Sequence, residues 1–297
     1  MTTARIYYQV AVVGGKIYAI GGANNNGGLN SVEEYDPATN TWTTKASMPT
    51  ARCSHQVAVV GGKIYAIGGL NDNGSINSVE EYDPATNTWT TKASMSTARY
   101  LHQVAVVEGK IYAIGGGNVN FDSYSFSILN SVEEYDPATD TWVSRPPMAT
   151  ARANHQVVVI GGKIYAIGGS DNISYLNSVE EYDSATNTWK SKAPMATERG
   201  CHQVAVLGGR IYAIGGANSN GSPLNSVEEY DPSTNTWTGK APMTIARLYH
   251  QAATVGTKIY AIGGFASGYL NSVEEYDTGY NVPESPTSLK LQSAMQK

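Results

Sequence analysis

An all-β chain of six four-stranded antiparallel sheets, arranged radially around a channel, is predicted by three observations. The hexapeptide IYAIGG recurs, ending at Gly22, Gly69, Gly116, Gly169, Gly216 and Gly264, at intervals of 47, 47, 53, 47 and 48 residues. Periods of this size mark repeat architectures. Each copy carries four short alternating stretches separated by turn residues, and the 297-residue chain holds 31 Gly and 20 Tyr beside 3 Phe. That bias suits many tight turns and many amphipathic ring positions.

The elements follow in order from one copy, residues 50–95, TARCSHQVAVVGGKIYAIGGLNDNGSINSVEEYDPATNTWTTKASM. HQVAVV (strand A) and KIYAIGG (strand B) flank a Gly-Gly pair, the signal of a hairpin whose turn needs positive φ. SVEEYD (strand C) alternates and ends at DPATNT, where Asp and Pro set a turn. TWTTKASM supplies strand D.

The paired Gly after IYAI, the Tyr of EEYD and the Trp six residues beyond that Asp resemble the Kelch repeat. Trp42, Trp89, Trp142, Trp189 and Trp237 hold that place in five copies. The resemblance covers essentially the whole chain and implies a six-bladed β-propeller, 1–297 as a single domain, with blades near 1–48, 49–95, 96–148, 149–195, 196–243 and 244–297. The copies are near identical, as in bacterial members of the family. The sixth departs: EEYD at 274–277 is followed by TGYNVPESPTSLKLQSAMQK with no Trp. Two readings stay open for 281–297. Either SLKLQSAM (288–295) is the last strand, with Leu289 in the Trp place, or VPESPTSLKL opens a following module of fibronectin or immunoglobulin type.

With 20 Lys and Arg against 25 Asp and Glu, the net charge is −5. That argues against nucleic acid, which rewards a basic surface. No apolar run approaches membrane-span length, and the opening residues lack the pattern of a signal peptide. Cys53 and Cys201 lie in different copies, which excludes a disulfide framework. A monomer without cofactor or metal is expected, and the modular tail favours a secreted or surface protein over a cytoplasmic one.

Alternate connections of an antiparallel sheet emerge at opposite ends, so A–B and C–D turns share one side while B–C and D–A connections share the other. The A–B turns are mostly GGK and the C–D turns DPATN, which reads as turn chemistry alone. The B–C loops differ instead: ANNNGGL, LNDNGSI, GNVNFDSYSFSIL, SDNISYL, ANSNGSPL and FASGYL. The D–A side keeps Arg and His-Gln in the pattern RxxHQ, with Tyr8 in place of His in the first copy, but varies the pair between them: Ile6-Tyr7, Cys53-Ser54, Tyr100-Leu101, Ala153-Asn154, Gly200-Cys201 and Leu248-Tyr249. Nearly all individuality therefore falls on one side. It is rich in Asn, Ser, Gly and Tyr, a composition that joins rigid aromatic area to adaptable hydrogen bonding.

The binding candidates on that side are Tyr7, Tyr100, Asn154, Tyr249, Phe121, Tyr124, Phe126, Tyr175, Phe265 and Tyr269. Arg5, Arg52, Arg99, Arg152, Arg199 and Arg247 form a second set. They suit an acidic peptide or carboxylated sugar, but each copy also offers a Glu pair, beginning at Glu33, Glu80, Glu133, Glu180, Glu228 or Glu274, for a structural ion pair. His55, His102, His155, His202 and His250 are too widely spread for a zinc site, whose ligands lie about 2 Å from one point. Catalytic sites are sparse. The copper site of galactose oxidase, which has similar blades, needs a Tyr–Cys cross-link and further ligands that have no counterpart here. The sialic acid mutarotases share the architecture, so a sugar mutarotase or epimerase is the enzymatic alternative. The expectation is a non-catalytic scaffold that binds a protein or peptide, with a carbohydrate as the alternative ligand.

Overall fold

Turn chemistry cuts the repeats into strands, and the computed structural model describes residues 1–279. Gly61 and Gly62 adopt φ of +58° and +76° between Gln56–Val60 and Lys63–Ile67. Only Gly takes two such angles in succession without steric cost. At the other turn, Asp83 Oδ1 accepts the Ala85 amide at 2.9 Å and Asn87 sits at φ +55°. The chain then returns as Thr88–Lys92, with Tyr82 opposite Trp89.

Among the described residues there are eight sheets, all antiparallel. Five are four-stranded with strand order A-B-C-D, one from each of the first five repeats. The sixth repeat contributes three strands, Gln251–Val255, Lys258–Ile262 and Val273–Asp277. Two smaller sheets come from B–C loops. The expected closing strand at 288–295 and its rival, the following module, lie outside the described residues.

Two compact units are distinguished. The first, Met1–Cys201 with Ala217–Gly221, holds repeats 1 to 4, and the second, His202–Gly216 with the residues from Ser222 on, holds the sheets of repeats 5 and 6. In the first unit each repeat packs on the next. Ala11, Tyr18, Ile20, Val32 and Met48 of repeat 1 meet Ile64, Ala66 and Tyr82 of repeat 2, and the same positions join repeats 2 and 3 and repeats 3 and 4. Both faces of strand B are thus covered, which explains its unbroken apolar run. Each fully buried Ile contributes about 1.5–3 kcal/mol. In the second unit, Tyr212, Ile214 and Val227 pack likewise on Ile259 and Ala261. Val273 is 57% exposed whereas its counterpart Val79 is 0% exposed, because no described sheet of that unit follows repeat 6.

The C–D turns do more than turn, which corrects the expectation from sequence. Asn87 Oδ1 accepts the Tyr82 hydroxyl at 2.8 Å and the amide of Ala46 from the preceding repeat at 2.9 Å, while Trp89 Nε1 donates to the Ala46 carbonyl at 2.9 Å. Asp140 and Trp142 bind Ala93 in the same way. DPATNTW is held constant because it stitches neighbouring repeats together. Asn87→Gly, which keeps the positive φ and loses both bonds, is expected to cost about 1–3 kcal/mol in urea unfolding. An unchanged midpoint would remove the stitch from the account.

Candidate functional site

The constant residues of RxxHQ form a frame beneath the variable ones. Arg99 is fully buried. Its Nη1 donates to the carbonyls of Gly115 at 2.8 Å and Ser131 at 3.2 Å, and its Nη2 to Ser131 Oγ at 3.1 Å and Glu133 Oε1 at 2.7 Å. Arg5, Arg52, Arg152 and Arg247 make the corresponding bonds, and Arg199 is equally buried. Burial alone would raise the Glu133 carboxyl. Hydrogen bonds from Ser96 and the charge of Arg99 outweigh it and hold the group below its usual range. The two members of each Glu pair divide the work: Glu133 serves the arginine, while Glu134 binds Lys110 and Arg145.

The histidines wedge into the Gly-Gly corner after strand B. A Cβ on Gly69 would lie 2.8 Å from His55 Cβ, and one on Gly68 3.0 Å from His102 Cε1 of the next repeat. His55, His102, His155, His202 and His250 are all 0% exposed. Burial first, then the neighbouring Arg52, pushes His55 down to about 3, and burial with Arg247 pushes His250 down to about 4. The imidazoles of His55, His102, His155 and His250 are neutral packing elements. No group of three or more His, Cys, Asp or Glu among the described residues is placed to hold a metal ion.

On this frame the two variable sets are joined by backbone bonds. The first residue of each variable pair bridges the first residue of its own B–C loop: Ile6 with Ala23, Cys53 with Leu70, Tyr100 with Gly117, Ala153 with Ser170, Gly200 with Ala217, and Leu248 with Phe265. The second residue always has positive φ, from 50° to 54°. In the first unit these second residues form a relay. Ser54 N donates to Tyr7 O at 3.0 Å, Leu101 N to Ser54 O at 3.2 Å, Asn154 N to Leu101 O and Cys201 N to Asn154 O at 3.3 Å. Main-chain atoms carry all of it, so the side chains are free to differ.

Within the first unit, Tyr7 is exposed and Asn154 half-buried. Tyr100 lies over Gly117, where a Cβ would be 2.8 Å from its ring. Gly117 opens the hairpin that carries Phe121, Tyr124 and Phe126, all exposed and the second 93% so. Tyr175 lies over Gly200, where a Cβ would be 2.6 Å from its ring, and its amide donates to Ser219 Oγ at 3.2 Å. In the second unit Tyr249 is exposed, and Phe265 meets Tyr269 edge-on at 5.6 Å between centroids.

Beside Tyr175 is an open cavity of about 270 Å³ lined by Ser170, Asp171, Asn172, Ile173, Ser174, Tyr175, Ser219 and Gly221. Asp171 Oδ1 accepts the amides of Ile173 and Ser174 at 2.7 and 2.8 Å, so the loop is shaped by its own carboxylate. Ser219 is held from behind, its amide donating to Glu198 Oε1 at 3.1 Å. Sequence reasoning missed Asp171, Ser219 and Glu198. The available signal was Glu198, which interrupts the TAR pattern as TER. The Asn-rich character of the loops is partly turn chemistry, since Asn24, Asn71, Asn120 and Asn218 each accept an amide two residues on.

Known proteins place the chain. The KLHDC2/KLHL20/DRC7 Kelch-repeats domain matches residues 2–169 and 129–264. Kelch-like protein 36 of Rattus norvegicus is 35% identical over 172 residues, 58% of this chain and 20% of that protein. Kelch-like protein 7 of Gallus gallus is 46% identical over 52 residues, 18% of this chain and 9% of that protein. The chain thus spans a fifth or less of these relatives. The solved structure of YjhT covers 92% of this chain and 95% of its own with a TM-score of 0.74 and 20% identity. That likeness concerns fold, an all-β, multi-bladed, propeller-like architecture of mostly four-stranded antiparallel sheets. Among the described residues no helix is long and apolar enough to cross a membrane. Its repeats, their frame of Arg, His and paired Gly, and the matched residues agree: the chain belongs to the KLHDC2/KLHL20/DRC7 Kelch-repeats domain family.

Proposed function

We propose that the chain is a non-catalytic recognition module whose variable side takes a carbohydrate. The observation that carries the reading is the cavity beside Tyr175, whose lining brings Ser170, Asp171, Asn172, Ser174 and Ser219 together with an aromatic residue. Small-ligand sites combine an apolar surface with a few placed polar groups in this way. Each of the six copies is one blade on this reading. The arginines act first as frame, and ligand contact belongs to the variable residues above them.

A saccharide array probed with the whole chain, with Tyr175→Ala and with Asn172→Ala tests it. Binding of at least one saccharide class is expected, weakened about 10–100-fold in the variants, the size of a lost hydrogen bond or ring contact. Silence across the array, or binding that neither variant alters, would sink the sugar reading. A protein or peptide partner is the second reading, favoured by the exposed Phe121, Tyr124 and Phe126. Pull-down of a partner that is lost when Tyr100, Phe121, Tyr124 and Tyr249 are all changed to Ala would establish it.

A further inference from the structure

The longest B–C loop builds something the others do not. Gly117–Asn120 and Ser125–Ile128 form a hairpin, and Asn120 pairs across repeats with Gly74 of the Leu70–Asn71 and Gly74–Ser75 hairpin in repeat 2. The result is a four-stranded sheet with Ser125–Ile128 at its end. Contacts with repeat 2 fix it in place. Val119 N donates to Ser75 Oγ at 2.9 Å, and a Cβ on Gly74 would lie 2.5 Å from the Val119 carbonyl.

The direction of the free backbone groups follows from this register. Gly117 exchanges both of its main-chain bonds with Tyr100, at 2.8 and 2.9 Å, and Val119 turns its amide to repeat 2. Antiparallel pairs alternate between bonded and non-bonded, so Gly117↔Ile128 and Val119↔Phe126 are the non-bonded ones. The amide and carbonyl groups of Phe126 and Ile128 therefore point away from the hairpin, where no described strand lies.

An open edge of this kind templates another strand unless charge, Pro, a bulge or a cover blocks it. Among the described residues none of these guards is present. Residues 117–129 hold no Pro and one charge, Asp122, at the turn. Phe126 is 55% exposed.

We infer that the edge Ser125–Ile128 pairs antiparallel with the same edge of a second copy, joining two four-stranded loop sheets into one. A two-fold axis sets identical rows of donors and acceptors face to face, the condition for a self-complementary interface. The strand is uncharged, so a copy is not repelled and no oppositely charged partner is selected. Phe126, which shares a sheet face with Val119, gains apolar neighbours from the partner strand. The pairing differs from the monomer expected from sequence and stands apart from the carbohydrate reading.

Sedimentation velocity on the whole chain, with no saccharide added, provides the test. An edge of four residues gives a small, weak interface. Wild type should pass from monomer toward dimer between about 10 μM and 1 mM, the range of such contacts. Phe126→Pro removes an outward amide while sparing the bonds within the hairpin, and Ser127→Lys places like charges on the paired edges. Each should weaken association at least about tenfold. If Phe126→Pro disturbs the fold by circular dichroism, Ser127→Lys alone decides. Wild type that stays monomeric throughout overturns the inference and leaves the edge to an extended segment of another protein. Association that Ser127→Lys leaves unchanged overturns it too.

Discussion

Lowering the pH from 7.5 to 5 should unfold this protein or bring it close to unfolding. His55, His102, His155 and His250 are buried and neutral, all held below the ordinary histidine value, with burial the first cause and a neighbouring arginine the second. The unfolded chain takes up protons below about pH 6.5, and the native state takes them up only near about 3 at His55 and about 4 at His250. Between those limits the unfolded state binds more protons, so stability rises with pH. It is complete above pH 6.5 and lost progressively below. Each histidine forfeits about 2 kcal/mol by pH 5, and four together about 8 as a ceiling. That rivals the whole stability of an ordinary domain, about 5–15 kcal/mol. Urea unfolding at pH 7.5, 6.5, 5.8 and 5.0 measures the slope. A midpoint that is flat over this range would show that the native imidazoles take up protons as readily as those of the unfolded chain.

Arg99→Leu should cost about 3–5 kcal/mol, because it strands the Glu133 carboxylate without its buried partner. The loss reaches beyond the ion pair. Glu133 also accepts the amides of Ser96 and Thr97 at 2.7 and 3.2 Å, and Arg99 also holds the carbonyls of Gly115 and Ser131. Glu133→Gln in the same background removes the stranded charge and should restore part of the loss. Its shortfall against the sum of the two single changes gives the coupling between the groups. If Arg99→Leu costs under 1 kcal/mol, the arginines are not the frame, and direct ligand contact becomes their reading.

The repeats were legible because their turns are local. Gly61-Gly62 and Asp83 to Asn87 fix strand ends from their own backbone needs, and six copies in register give the same answer. The division into constant and variable sides was legible by the same comparison. What remained hidden depends on partners from other repeats. Asn87 looks like a turn residue until Ala46 of the preceding repeat arrives to bond it. Tyr175 gives no sign in sequence that it will cover Gly200, and Gly74 none that it will pair with Asn120. The exposure of Val273 is equally invisible, since its sequence copy in repeat 2 is buried.

The relay of main-chain bonds from Tyr7 through Ser54, Leu101 and Asn154 to Cys201 has a consequence for evolution. Tyr, Ser, Leu, Asn and Cys occupy equivalent places in it, all with the same left-handed backbone. At Tyr7, Ser54, Leu101 and Asn154, which reach the surface, a mutation changes what is presented without cutting a bond that holds the repeats in line. The lineage can explore new ligands by single steps at almost constant foldedness, and a laboratory can randomise the same positions with the expectation that most variants still fold.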